Sequence, residues 1–504
     1  MTPSEPAPAA QSAAHVADRR LHPWSWVFVL LQQMKQYVIP LVAAFFFGGD
    51  RNELWPLIGV GVLALISVMQ YFTYRYSVGR DVLTIRSGWL QRQRREIPYA
   101  RIHNVSIEQS VLHRFFGVAE VRLESAGGRK PEATMRVLKL DDALALERLV
   151  RHRGGVEAAA SDAQAIDAPA PAVLLALPPG EVLRLGLVSN RGLIALAAAY
   201  GASFQFSPRL TETIFQSWAS RVFGWAGEHH FGPAQYALAA ITLALAVLAL
   251  MRLLSMALAL LQYYGFTLTE EAQRLTVDRG LIARMRSSAS RRRLQAWTLH
   301  EGLMHRLLKR RSIEVDTAAG GDGQSQKRAL RELAPIATPE ACDALIEHLL
   351  PGAGWSTLPW RSTHPRAALR AFLPNTIFPL LLCAALCWWK GWIGLFALLL
   401  LPWFAFVAWH HARHARYAVD DRLVAVRGGW LSRHWRFAEV DKVQAVRLSQ
   451  GPLDRRWGMA TLSLDTAGAS ATAPALRIHH LPESDARALL DRLAHTLAAR
   501  KLRW

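Results

Sequence analysis

Arginine is the residue this chain clusters, and grouped guanidinium ions hold carboxylates, phosphates or anionic surfaces. One cluster is Arg92, Arg94 and Arg95. A second is Arg284, Arg286, Arg291, Arg292 and Arg293, with Lys309, Arg310 and Arg311 beyond it. A third keeps Arg433 and Arg436. Arg114, Arg306 and Arg455 stand inside three versions of one eight-residue stretch: "SVLHRFFG" (110–117), "GLMHRLLK" (302–309) and "GPLDRRWG" (451–458). These arginines are the candidate contacts for a protein partner or for anionic lipid, where each cation contributes about 1 kcal/mol. A basic face that is merely solvated would carry the same residues.

Other chemistry-bearing types are sparse. "LLQQMKQYV" places Gln32, Gln33, Lys35 and Gln36 within an apolar run, a costly position in lipid unless they face a bundle interior or the interface. His410 and His414 are one helical turn apart beside His411, and Glu228 precedes His229 and His230. Neither group has the further ligands that zinc requires. Cys383 and Cys387 share a helix face within an apolar segment, as small packing residues do. "GGDGQSQK" (320–327) lacks the spacing and terminal hydroxyl of a phosphate loop. No catalytic set, cofactor or metal is expected.

The elements that must carry the arginines are membrane segments and small soluble modules. Hydrophobic residues make up 51% of 504 residues alongside a formal charge of +20, so apolar and basic stretches must be segregated. The apolar segments fall in three pairs: 24–47 and 54–74, 186–206 and 234–263, 372–389 and 392–410. Each approaches the ~20 residues that cross a bilayer, which predicts six spans as three hairpins. Asn190 and Arg191 make the third segment the weakest. The turns between paired segments carry no net charge in sum, since Asp50, Arg51 and Glu53 give −1, residues 207–233 give 0, and Lys390 gives +1. The whole excess of cation then lies on the opposite side, which the positive-inside rule makes cytoplasmic. Both termini and all soluble stretches are expected there. Three cysteines, Cys342 among them, imply no disulfide framework.

The soluble stretches repeat. Shifting residues 76–127 by 341 overlays them on 417–468 without a gap, and seventeen of 52 positions coincide, including Arg86/Arg427, Gly88/Gly429, Trp89/Trp430, Arg92/Arg433, Arg95/Arg436 and Gln109/Gln450. A shift of 192 brings Gly280, Arg284, His305 and Arg306 onto Gly88, Arg92, His113 and Arg114 in a more diverged middle copy. "DVLTIRSGWLQRQRREIP" alternates around a glycine, as a β-hairpin does. "RIHNVSIEQ" and "VAEVRLESAGG" read as further strands. "DDALALERLVRH", "TPEACDALIEHLL" and "PESDARALLDRLAHTLAAR" read as amphipathic helices that end each copy. Val111, Leu112, Phe115 and Phe116 fall at helical spacing, which predicts a short helix with its apolar side turned inward. Each copy is expected to be a small barrel or sandwich plugged by its last helix.

The run "SGWLQRQRREIPYARIHNVSIEQSVLHRFFGVAEVRLESAGG" resembles the bacterial pleckstrin-homology-like (PH-like) domain of the second type. The whole arrangement resembles the three-module membrane proteins of the YdbT-like family. That resemblance implies a PH-like β-barrel with a C-terminal helix for each module, no catalytic residues, and a smaller single-module PH-like membrane protein as partner. The expected organisation is a disordered tail (1–22), hairpin 1 (23–75), module 1 (76–153), an Ala/Pro linker (154–184), hairpin 2 (185–263), a diverged module 2 (264–350), a second linker (351–370), hairpin 3 (371–410) and module 3 (411–504). "LHPWSW" and "THPRAALR" put a His-Pro element ahead of two hairpins. The function expected is a non-catalytic inner-membrane scaffold that presents three cytoplasmic modules to a protein partner, to a second copy, or to the anionic leaflet. The alternative is a transporter or lipid-handling protein using the polar residues of the first span. Nucleic acid suits a basic chain but not one held on a membrane.

Overall fold

The computed structural model describes residues 19–20, 22–28, 30, 61–62, 65, 68–69, 72–88, 91–125, 132–153, 172–206, 212–213, 216–217, 220–221, 232–317, 331–467 and 475–499. The chain forms two compact units, residues 1–126 with 131–166, and residues 127–130 with 167–504.

In the first unit, β1 (Arg19–Arg20), β2 (Arg75–Val78), β3 (Val82–Ser87) and β4 (Gln93–Pro98) pair in that order as an antiparallel sheet. A second sheet joins β5 (Ile102–Gln109), β6 (Val118–Ser125) and β7 (Ala133–Lys139). Alternation decides which face is buried: Leu83, Ile85, Ile97, Val105, Ile107, Val121 and Leu123 point into one core, which Leu146 and Val150 of helix Leu140–Arg153 close. Gly88 turns the β3–β4 hairpin at φ +103°, where a Cβ would lie 1.9 Å from the Gln91 carbonyl oxygen. Gly280 (+112°) and Gly429 (+83°) make the same turn in the other modules, so the repeated glycine is a backbone requirement.

The second unit holds two more modules. β8 (Ala172–Ala176), β9 (Thr267–Glu271), β10 (Arg274–Arg279) and β11 (Arg284–Ser290) pair in turn, and β12 (Leu294–Glu301), β13 (Arg311–Thr317) and β14 (Glu332–Ala337) follow with helix Pro339–Leu349. The last module has β15 (Arg361–Ser362), β16 (Arg416–Val419), β17 (Leu423–Gly428) and β18 (Arg433–Glu439), then β19 (Val443–Ser449), β20 (Met459–Thr466), β21 (Arg477–Pro482) and helix Glu483–Ala498. β12 pairs with β18, so one sheet runs from one module into the next. Trp297 and Phe437 stack across this seam at 5.9 Å, and Trp355 lies 4.2 Å from Phe437.

The strand before each inserted segment pairs with the strand after it. β1 pairs with β2, β8 with β9, and β15 with β16. Segments read from sequence as tail or linker therefore contain strands, and helix Pro179–Val188 also begins inside the Ala/Pro stretch. The His-Pro elements work alike. The His22 amide donates to Val137 O (3.2 Å) and the His364 amide to His480 O (2.8 Å). Each imidazole Nδ1 then faces the amide two residues on, in Trp24 (3.5 Å) and Arg366 (3.1 Å).

Among the described residues two helices are long and apolar enough to cross a membrane, Ala234–Tyr263 and Ala367–His414, or three if the bent pair Pro179–Val188 and Arg191–Ser203 is one span. The Ala234–Tyr263 helix carries Leu238, Ile241, Leu245, Leu250 and Leu253 exposed around its surface, as a helix solvated by lipid does. The Ala367–His414 segment turns back at Gly391 (φ +65°), and its two helices pack together. A Cβ on Gly394 would lie 2.2 Å from the Cys387 amide, so this close approach needs glycine. Asn190 and Arg191 mark the 59° bend of the paired helices. There Arg252 bonds Asn190 Oδ1 (3.2 Å) and Arg191 bonds Gln262 Oε1 (2.5 Å).

Candidate functional site: a basic and apolar rim at the helix ends

β2 begins where a helix ends at Phe72–Thr73. Its first residue, Arg75, lies opposite Arg86 on β3, and Arg86 lies opposite Arg94 on β4. Three arginines thus form one cross-strand row on the outer face, all exposed. Like charges directly opposite in a sheet destabilise it, so the row gains from an anion. Arg75, Arg86, Arg92 and Arg94 line one cleft of about 430 Å³ with Phe72, Thr73 and Gly88. Arg94 also pairs with Glu96 at 2.5 Å.

The last module repeats the row. Arg416 follows helix Leu400–His414 and lies opposite Arg427. Burial, then the charges of Arg433 and Arg416, pull the Arg427 guanidinium below its usual value. Trp435 replaces the third arginine, and Arg427 and Arg311 lie over its ring at 5.2 and 5.0 Å. Glu301 lies within this group, 3.7 Å from Arg433, 2.9 Å from Arg311 and 4.0 Å from Arg306, and Asp343 lies 3.6 Å from Arg311. In the middle module the row reads Thr267, Asp278 and Arg286, with Asp278 and Arg286 3.9 Å apart. Its charge is cancelled there.

The eight-residue motifs form short helices, Val111–Phe115, Leu303–Leu307 and Pro452–Arg456. Their apolar side does not face inward: Phe115 is 84% exposed and Leu307 76%, with Val111, Leu112, Leu303 and Met304 also exposed. The core places are taken by strand residues, and the motif instead fastens each module to the start of the helices that precede it. Phe116 lies 5.0 Å from Trp24 and His113 lies 4.3 Å from Phe28. Arg310 bonds Glu181 at 2.8 and 2.9 Å, and Arg370 bonds Asp454 at 2.6 Å. In the last two modules the β-hairpin tips sit at the other helix of the pair. The Leu281 amide donates to Leu261 O (3.0 Å), and Trp430 stacks on His410 at 4.5 Å. Exposed Leu281, Ile282 and Leu431 are at these tips. Every module thus turns an apolar rim toward its own helix ends.

Several arginines expected to bind are structural. Arg436 is 3% exposed, donates to Thr298 Oγ1 (2.6 Å) and ion-pairs with Asp316 across the seam. β12 covers it, leaving no surface to offer. Arg291 bonds Leu349 O and His348 O at 2.8 Å and Glu270 at 3.3 Å, fastening the end of helix Pro339–Leu349. Arg293 is half-buried, and burial with Arg274 nearby pulls it to about 10. Arg92, Arg95, Arg114, Arg284, Arg292, Arg306 and Arg455 are exposed. Arg75, Arg86, Arg416 and Arg427 were not singled out from the sequence, although Arg86/Arg427 is one of the repeat identities and Arg75/Arg416 stands one residue before the overlay begins at 76/417. Gln32, Gln33, Lys35 and Gln36 lie outside the described residues, as do Glu228, His229 and His230. No group of three or more His, Cys, Asp or Glu able to hold a metal occurs among the described residues.

The sequence has known relatives. The family described as Bacterial PH domain matches residues 28–154, 220–350 and 369–497. The "UPF0699 transmembrane protein YdbT" of Bacillus subtilis (strain 168) is 21% identical over 493 residues, covering 94% of this chain and 97% of its own. No solved structure matches.

Proposed function

Since the chain belongs to the bacterial PH domain family and is a membrane protein like its transmembrane relative, we propose that it is a non-catalytic scaffold whose modules lie against an anionic leaflet. In this reading three helical hairpins cross the inner membrane six times, with the modules and both termini cytoplasmic. The observation that carries it is the recurrence of Arg75–Arg86 and Arg416–Arg427 as paired rows where a helix meets its module. Anionic headgroups there offset the repulsion within each row, and the apolar rim residues enter the interface beside them. Helix-end anchorage makes the modules an ordered platform, and partner binding is its output. The transporter reading keeps only the polar cluster of the first span.

Native mass spectrometry of the full chain in mild detergent tests this. Phosphatidylglycerol should be retained in preference to phosphatidylcholine, and Arg75→Ala with Arg86→Ala should lower that retention severalfold. Equal retention of the two lipids, unchanged by the substitutions, would overturn it.

A further inference from the structure

The seam between the last two modules is a template for a joint whose one half stands open. On β18, Arg433 and Arg436 face β12: Arg433 lies 3.7 Å from Glu301, and Arg436 ion-pairs with Asp316 one strand behind. The repeat puts identical residues, Arg92 and Arg95, at these positions of the first module. There Arg92 immediately precedes β4 and Arg95 lies on it; among the described residues β4 is the terminal strand of its sheet, and residues 91–96 are all exposed. We propose that β4 accepts the edge strand of another PH-like module, supplied by a separate chain, in the register that β12 takes on β18. The inference rests on the scaffold reading and names the surface at which a partner joins.

The required chemistry follows from the template. The incoming strand carries a carboxylate opposite Arg92, as Glu301 stands opposite Arg433. A second carboxylate sits on the next strand within reach of Arg95, as Asp316 does for Arg436. A small residue opposite Arg95 leaves room for the guanidinium, as Thr298 does. A second copy of this chain meets only part of this. Its own terminal strand β19 keeps the rear carboxylate as exposed Asp465, but has Gln450 for Glu301 and Arg447 for Thr298. Arg447 would then oppose Arg95, so like charges discriminate against self-pairing. Without a matched partner, three arginines within residues 92–95 protect the edge from adventitious strands.

Site-specific photo-cross-linking tests the joint in native membranes, using the full chain with p-benzoylphenylalanine at Gln93. The expected product is one cross-linked peptide from a different chain, a strand bearing a carboxylate at the position opposite Arg92. Arg95→Glu should abolish the product, and the reciprocal carboxylate→Arg change behind the cross-linked strand should restore it. Cross-linking to Val443–Ser449 of a second copy, to lipid alone, or to a peptide insensitive to Arg95→Glu would overturn the proposal. Arg92 and Gln93 line the cleft of Arg75 and Arg86 but Arg95 does not, so the Arg95→Glu arm decides the joint while Arg75→Ala with Arg86→Ala decides the lipid reading, and either can fail alone.

Discussion

Arg436 and Asp316 meet across the seam of two modules with side chains each 3% exposed. Removing one partner of such a buried pair strands a charge, which costs about 3–5 kcal/mol, whereas replacing both by apolar groups is often neutral. Asp316→Asn should therefore destabilise the second unit by several kcal/mol, and Arg436→Met with Asp316→Leu should recover most of it. Guanidinium titration of tryptophan emission, with Trp297 and Trp355 reporting on the seam, measures both. Equal losses in the single and double variants would show that the pair acts only through packing.

Glycine turns give a second prediction. At Gly429 (φ +83°) a Cβ would stand 1.9 Å from Ser432 O, whereas at Gly117 (φ +65°) nothing lies within 4 Å. Gly429→Ala should cost about 1–3 kcal/mol. Gly117→Asn should cost under about 1 kcal/mol, since Lys309 already holds φ +51° at the equivalent position. Thermal unfolding of the two variants compares them directly.

Titration of His480 sets a pH dependence. Burial, then His479, lower its pKa to about 4. The unfolded imidazole takes up a proton near pH 6.5, so between about 6.5 and 4 the unfolded state binds more protons. Stability then falls as pH drops through that window and levels below it. His480→Asn, which tolerates the left-handed backbone at φ +55°, should remove this part of the slope. An unchanged slope would assign it to other groups.

The exposed motif helix predicts depth. A spin label at Phe115→Cys, in a chain freed of its three other cysteines, should be reached by oxygen more than by a water-soluble relaxant in a bilayer. Phe115→Ser should alter stability by no more than about 0.5 kcal/mol, because the side chain fills no core. A label equally open to the aqueous relaxant would place the helix away from the membrane.

Periodicity made much of the architecture legible. Alternation gave β3–β4 and β6, helical spacing gave the closing helices, and the overlay gave modules whose Gly88, Gly280 and Gly429 share one turn. Gln109 and Gln450 recur for a local reason, since each amide donates to the carbonyl that opens the next strand, Val118 O (2.9 Å) and Met459 O (3.1 Å). What stayed hidden depends on distant neighbours. β8 pairs with β9 some ninety residues on, so its Ala/Pro-rich surroundings read as linker. Apolar spacing in "SVLHRFFG" is the same whether the face meets a core or a bilayer. Arg95 and Arg436 are one residue type at one repeat position, and only the strand laid beside Arg436 makes it structural. The arginine rows escaped because Arg75, Arg86 and Arg94 lie on three successive strands, and only strand register sets them side by side.

Amide hydrogen exchange of the full chain in nanodiscs tests the central claim most directly. Phosphatidylglycerol, compared with phosphatidylcholine, should slow exchange over 75–94 and 416–433. It should leave the middle module's 267–286 unchanged, because Asp278 cancels that row. Arg75→Ala with Arg86→Ala should remove the effect over 75–94 alone, and high salt should weaken it. Identical exchange in both lipids, or equal protection of all three modules, would contradict the account.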